Sequence, residues 1–206
     1  PNIDAKTHQK ISTGKAENKF GLSIKNFKSF YKTIKKYKHI KLDALSVHIG
    51  SQILSDVPYK KMLNVMSNLI RELKLDLKFL DLGGGFGISY NKKDKPINLK
   101  KYSDSVNKLA KKFKCKIIFE PGRSIIGDTG ILLSKIQYIK KGVKKDFIII
   151  DAGMNDFMRP ALYDAVHKII PIKKSKSKLK GTIEFVGPIC ESTCKFGSYK
   201  NYQKMN

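Results

Sequence analysis

Phe79-Leu80-Asp81-Leu82-Gly83-Gly84-Gly85-Phe86-Gly87 carries an apolar strand straight into a run of glycines. Glycine after a strand lets the backbone approach an anion and aim its amides there, which reads as phosphate, and it equally serves a plain tight turn. The spacing is not the G-x-G-x-x-G of a dinucleotide fold. Around this stretch, short apolar runs at Phe20–Ile24, Leu42–Ile49, Leu77–Leu82 and Cys115–Glu120 alternate with apolar residues at helical spacing. The helical stripes are Phe27, Phe30, Tyr31, Ile34 and Tyr37; Met62, Val65, Met66, Leu69, Ile70 and Leu73; and Tyr102, Val106, Leu109 and Phe113, all read as core. Such alternation predicts βα units around a parallel sheet.

A doubly wound sheet and half of a (β/α)8 barrel both accommodate four strands and three helices. The strand ends decide between them. His48-Ile49-Gly50-Ser51-Gln52, Gly83-Gly84-Gly85-Phe86-Gly87 and Glu120-Pro121-Gly122-Arg123-Ser124 each close one of the last three runs. Polar and glycine-rich segments at successive strand C-termini are what a TIM-type barrel enzyme shows. The fold class expected is therefore α/β, with half a barrel over residues 1–130. Beyond that point helical periodicity fades, and β-rich runs appear at Ile131–Ile139, Phe147–Asp151, His167–Ile172 and Thr182–Val186. Residues 131–206 are expected to begin a mostly antiparallel β domain, with Lys173–Lys180 as an exposed loop and no closing element around Lys204-Met205-Asn206.

With 206 residues, 41% of them hydrophobic, the chain is long enough to bury a substantial core. A formal net charge of +25 invites a nucleic-acid partner. The distribution argues against one: arginine occurs only at Arg71, Arg123 and Arg159, and the lysines are scattered over helix faces and loops. Where a chain so rich in lysine keeps an arginine, the planar fork that grips a carboxylate or phosphate is the natural reason. No apolar run approaches a membrane span, and Pro1-Asn2-Ile3-Asp4 has no leader character, so the expected location is cytoplasmic. The absent initiator methionine suggests a fragment whose upstream residues are not included. Cys115, Cys190 and Cys194 are too few for a disulfide framework and lack the partners of a zinc site, so no metal is expected. Cys115 is read as a buried strand residue.

Glu120, at the end of an apolar strand, and Arg123 both call for charged partners; a cationic heterocycle nitrogen and an anionic oxygen would serve, as would a simple ion pair at the strand end. His48 alone reads as a core histidine, and gains interest only from Gly50-Ser51 beside it. Cys190 alone reads as a buried structural thiol. The remaining inventory is Asp151-Ala152-Gly153-Met154-Asn155-Asp156, Arg159-Pro160-Ala161-Leu162-Tyr163 and Gly187-Pro188-Ile189-Cys190-Glu191-Ser192. Taken in order with Lys19-Phe20-Gly21 and the three strand-end segments, these resemble the diaminopimelate decarboxylases, within the fold-type III ornithine/arginine/diaminopimelate decarboxylase group. The resemblance covers essentially the whole chain, about half of the family's length.

That resemblance implies the C-terminal half of a barrel binding pyridoxal 5'-phosphate. The residue matching His48 stacks on the cofactor ring; those matching Ser51, Gly84, Gly85, Gly122 and Arg123 hold its phosphate; that matching Glu120 keeps the pyridine nitrogen protonated. Arg123, Arg159 and Tyr163 match substrate contacts, Glu191 matches the group that receives the distal ammonium, and Cys190 matches the proton donor, which reaches across a homodimer interface. The implied reaction is decarboxylation of meso-2,6-diaminopimelate to L-lysine and CO2. The cofactor lysine and a C-terminal tyrosine of the family fall outside this chain, so the fragment alone is expected to be inactive. The chain departs from the family at Thr193-Cys194, where an acidic residue is common. Two alternatives stay open: a sister decarboxylase of another basic amino acid or polyamine precursor, to which Arg159 would be of no use, and a non-catalytic homologue acting as a binding partner.

Overall fold

The computed structural model describes residues 1–5, 7, 11–91, 94–173 and 176–203. The chain divides into two compact units, Pro1–Gly130 and Ile131–Asn206.

In the first unit, helix α1 (Ile24–Ile34), strand β1 (Ala44–Ser46), α2 (Asp56–Leu73), β2 (Phe79–Asp81), α3 (Leu99–Phe113), β3 (Lys116–Ile118) and the short α4 (Arg123–Ile126) follow in order. The helices start where a side chain satisfies an orphan amide: Ser23, Ser55 and Asn98 accept from Asn26, Val57 and Lys101 N–H. The three strands are parallel in the order β1-β2-β3. Their register aligns Ser46 with Asp81 and Asp81 with Ile118, so the three C-terminal ends lie side by side. The core between sheet and helices contains Leu45, Val47, Tyr59, Met62, Met66, Ile70, Leu80, Tyr102 and Val106. Cys115, next to β3, belongs to it as expected.

Two expectations fail here. Phe20–Ile24 forms no strand: Gly21 adopts φ +66, Ser23 caps α1 so that Ile24 is already helical, and Phe20 and Leu22 are more than half exposed. The helical stripe of α1 is also narrower than the pattern suggested, since Phe30 and Tyr37 face solvent while only Ile34 is buried, with Phe27 and Tyr31 packed on the core.

The second unit holds a four-stranded sheet in the order β4-β5-β6-β7, with β4 (Ile136–Lys140), β5 (Asp146–Ile150), β6 (Thr182–Val186) and β7 (Lys195–Lys200). Its outer pairs are antiparallel and the central pair β5–β6 is parallel. Parallel neighbours need a long crossover, and the segment between them contains α5 (Arg159–Tyr163). Ile148, Ile183, Phe185, Phe196 and Tyr202 form the core.

The run His167–Ile172 is not a strand. Tyrosine hydroxyls meet three of its backbone polar groups: Tyr199 Oη donates to His167 O (3.0 Å) and accepts from Ile169 N–H (3.1 Å), and Tyr202 Oη donates to Ile169 O (2.8 Å). Pro171 offers no amide to a ladder. The strand that the pattern missed is β7, whose Gly197 and Ser198 obscure its alternation. Strand β4 begins at Ile136, later than the run that predicted it. Residues 174–175, within the expected lysine loop, and the terminal Lys204-Met205-Asn206 lie outside the described residues. Among the described residues no helix is long and apolar enough to cross a membrane.

Candidate active site

In the first unit the strand register carries through to the segments that follow. His48, Gly83 and Glu120 each stand two residues beyond the aligned ends of β1, β2 and β3. They interlock through main-chain and side-chain hydrogen bonds. Glu120 N–H donates to Gly83 O (2.8 Å), and Gly84 N–H donates to His48 Nδ1 (3.2 Å), which leaves the ring proton to Nε2. Gly83 N–H donates to Asp81 Oδ1 (2.9 Å), whose other oxygen accepts from Ser46 Oγ (2.9 Å). The fully buried Tyr59 donates its hydroxyl to Gly84 O (2.9 Å), and burial pushes its phenol well above the ordinary tyrosine range.

The glycines are there because strand ends meet. A Cβ on Gly84 would sit 2.0 Å from Glu120 O, one on Gly85 2.1 Å from Gly50 O, and one on Gly83 2.6 Å from Val47 O. Gly83 and Gly85 also hold φ of +63 and +92. The amides of Gly83 and Gly84, read from sequence as anion donors, are thus engaged inside the protein. Gly122, by contrast, faces open space. Glu120 is exposed, so its carboxylate does not carry the burial cost that the sequence suggested.

Arg123 opens α4 and is half-buried. Its Nη1 donates to Gln52 Oε1 (3.0 Å), and its guanidinium lies 5.9 Å from the centre of the Tyr90 ring. Gln52 closes the segment after β1 and also grips Ile88 beyond the glycines. His48, Ser51, Gly84, Gly85, Glu120, Gly122 and Arg123 therefore all belong to the same end of the parallel sheet. A groove of about 360 Å³, lined by Tyr31, Ile34, Leu42, Lys74 and Leu75, lies at the other end, where the strands begin.

In the second unit Arg159 and Tyr163 share α5, with the Arg159 guanidinium 5.8 Å from the Tyr163 ring centre. Arg159 Nε donates to His167 Nε2 (3.3 Å), and the imidazole packs edge-on against Phe157, with 4.7 Å between centroids. Cys190 and Glu191 lie exposed on the turn between β6 and β7. That turn is closed by Gly187 N–H to Cys194 O and Cys194 N–H to Glu191 O, both 2.9 Å. Glu191 Oε1 gathers Thr193 N–H (3.4 Å), Thr193 Oγ1 (3.3 Å) and Ser192 Oγ (3.3 Å), and these donors lower its pKa. The buried Cys194 thiol accepts Met154 N–H (3.3 Å) and fills the space against Gly187, where a Cβ would lie 2.6 Å from Sγ. Cys194 thereby ties the Cys190–Glu191 turn to the loop that leads to α5.

Sequence reading assigned no role to Gln52, Tyr59, Asp81, His167 or Cys194. Gln52 and Asp81 stood within the stretches it quoted, and Thr193-Cys194 was noted as a departure.

A family model described as the pyridoxal binding domain of pyridoxal-dependent decarboxylases matches residues 1–127. The diaminopimelate decarboxylase of Aquifex aeolicus is 42% identical over 195 residues, covering 93% of this chain and 46% of that protein. That of Helicobacter pylori is 42% identical over 200 residues, covering 95% and 49%. The crystal structure of diaminopimelate decarboxylase from Helicobacter pylori complexed with L-lysine superposes with a TM-score of 0.87 at 39% identity, over 100% of this chain and 51% of that one. The chain spans about half the length of the curated relatives it matches. The parallel sheet is accordingly part of a barrel wall, not of a doubly wound sheet.

Proposed function

The chain belongs to the pyridoxal-dependent decarboxylases, and from that premise we propose that the protein carrying it converts meso-2,6-diaminopimelate to L-lysine and CO2, using pyridoxal 5'-phosphate. The observation that carries the reading is the convergence, at one end of the sheet, of an imidazole after β1 with a carboxylate and a guanidinium after β3, locked by the Gly84–His48 and Arg123–Gln52 hydrogen bonds. This donor set suits the cofactor: an acid for a ring nitrogen, a flat ring to stack and a cation for a phosphate. Pyridoxal phosphate, when bound, supplies an electron sink for the pair left as a carboxyl group departs.

The chain's own residues do the rest. His48, its Nδ1 fixed by Gly84 N–H, presents a ring held at one orientation. Glu120, anchored through its amide to Gly83 O, offers an exposed carboxylate to a ring nitrogen. Arg123, with Ser51, Gly85 and Gly122, makes the phosphate end, and Gly84, its amide committed to His48, shapes the turn beside it. Arg159, oriented by His167 and Tyr163, clamps the substrate's remaining carboxylate. Glu191, kept ionised by Ser192 and Thr193, takes the distal ammonium. The Cys190 thiol delivers a proton to the carbon from which CO2 has left. In this reading Cys190 serves the partner's site in a cytoplasmic homodimer, as the arrangement of its family implies.

The test uses the full-length protein. Release of CO2 should be fast from meso-diaminopimelate and negligible from L-lysine or L-ornithine, which have no distal carboxylate for Arg159. Cys190→Ala should bind pyridoxal phosphate yet turn over about 10²-fold more slowly, the usual size of a lost general acid. Comparable turnover of ornithine would move the assignment to a sister decarboxylase, and normal turnover by Cys190→Ala would remove the proton donor.

A further inference from the structure

We propose that Gln52 is a positioning residue that joins Arg123 and the segment after the glycine run into a single anion-binding unit; the inference rests on reading that end of the sheet as a cofactor-phosphate site. Three hydrogen bonds carry it. Gln52 Nε2 donates to Ile88 O (2.6 Å), while its Oε1 accepts both Ile88 N–H (3.2 Å) and Arg123 Nη1 (3.0 Å). The side chain thus treats Ile88 as one peptide group treats another, and still has a lone pair for the guanidinium.

The backbone is committed to this arrangement. Gln52 holds φ +60, which costs a side-chain-bearing residue about 1 kcal/mol or more. The neighbouring Ile53 donates its N–H to Gly85 O (2.9 Å) and accepts Gly87 N–H (3.0 Å), so the segment after β1 is laced to the glycines on both sides of Phe86. Gly87 packs so closely that a Cβ there would sit 3.2 Å from Gln52 Cδ.

The chemistry singles out an amide. Glutamate would keep the acceptors but could not donate to Ile88 O, and would set a negative charge beside an anion site. Methionine keeps the length and loses all three bonds. A glycine-rich segment binds an anion well only if its shape is fixed beforehand, and an arginine whose position is set loses less freedom on binding. Gln52 does both, through partners 36 and 71 residues away in sequence.

The experiment measures the affinity of the full-length protein for pyridoxal phosphate and for pyridoxal, which lacks the phosphate. Gln52→Met should weaken pyridoxal phosphate binding about tenfold, the worth of one charge-assisted hydrogen bond, and leave pyridoxal binding unchanged. In combination with Arg123→Lys the losses should overlap, the double variant binding no more weakly than Arg123→Lys by more than about twofold. Gln52→Glu, which keeps the size and can still accept both N–H groups should the methionine variant fold poorly, should lose about 10²-fold for the phosphate form alone. Wild-type phosphate affinity in both variants, or losses that multiply fully in the double variant, would overturn the role of Gln52 while the cofactor reading stands. A wild-type protein that binds no pyridoxal phosphate would overturn both.

Discussion

Single atoms decide much of the strand-end site. Adding one methyl group to Gly84 would bring it 2.0 Å from Glu120 O, and adding one to Gly85 would bring it 2.1 Å from Gly50 O at a backbone angle of φ +92. Both contacts are with main chain, which cannot swing aside. Gly84→Ala and Gly85→Ala should each cost on the order of 3 kcal/mol of stability, whereas Gly122→Ala, with nothing nearby, should cost under about 1 kcal/mol. Urea unfolding of the full-length protein makes the comparison, and equal midpoints for all three would contradict the packing account. The sequence offers an anion cradle or a tight turn as the reason for these glycines, and the structure adds a third, strand ends in contact. Close approach to a ligand and close approach between strands call for the same residue, and only the positions of Glu120 and Gly50 tell them apart. Gln52 and His167 were illegible for another reason: a side chain's role lies in its partners, and those of Gln52 are remote in sequence, while His167 itself sits in a run that reads as a strand.

Elements were legible where periodicity and caps agreed. Helices α2 and α3 follow their apolar stripes and start at residues whose side chains accept an amide. The strand errors share a cause, which is that an apolar run shows burial but not what satisfies its backbone. His167–Ile172 bonds to tyrosine hydroxyls, and β7 pairs with β6 despite its glycine and serine. The turn between β6 and β7 offers a prediction at this scale. Cys194→Ala removes the acceptor of Met154 N–H and leaves a small void against Gly187. It should destabilise the protein by about 1–2 kcal/mol, and Cys194→Ser, which retains an acceptor, should fall between it and the wild type. Thermal unfolding measures the series, and a Cys194→Ala variant as stable as the wild type would show that the thiol holds nothing together.

Across the whole molecule, alkaline stability follows from three phenols. Burial raises the pKa of Tyr59 and Tyr102 in the first unit, and pushes Tyr202 in the second up to about 12. In the unfolded chain each would ionise near the ordinary value of about 10. Between those values the native state keeps protons that the unfolded state releases, so the stability present below pH 10 is lost as pH rises above it. The melting temperature should fall steadily above about pH 10. Tyrosinate absorbance from these three rings should appear only as the fold is lost. If Tyr59, Tyr102 and Tyr202 ionised with the fold intact, the burial argument would be wrong. At this scale the strand-end segments made the barrel half legible, because the chemistry of a barrel clusters at one end of its strands. The mixed order of the second sheet left no such mark, yet it sets a timetable. Hairpins β4–β5 and β6–β7 join neighbours in the chain, while the parallel seam between them pairs Asp146 with Ile183. The distant pairing is the slow one, so the crossover bearing Arg159 and Tyr163 takes its place last as the chain folds, and is the first part to be surrendered when the seam opens.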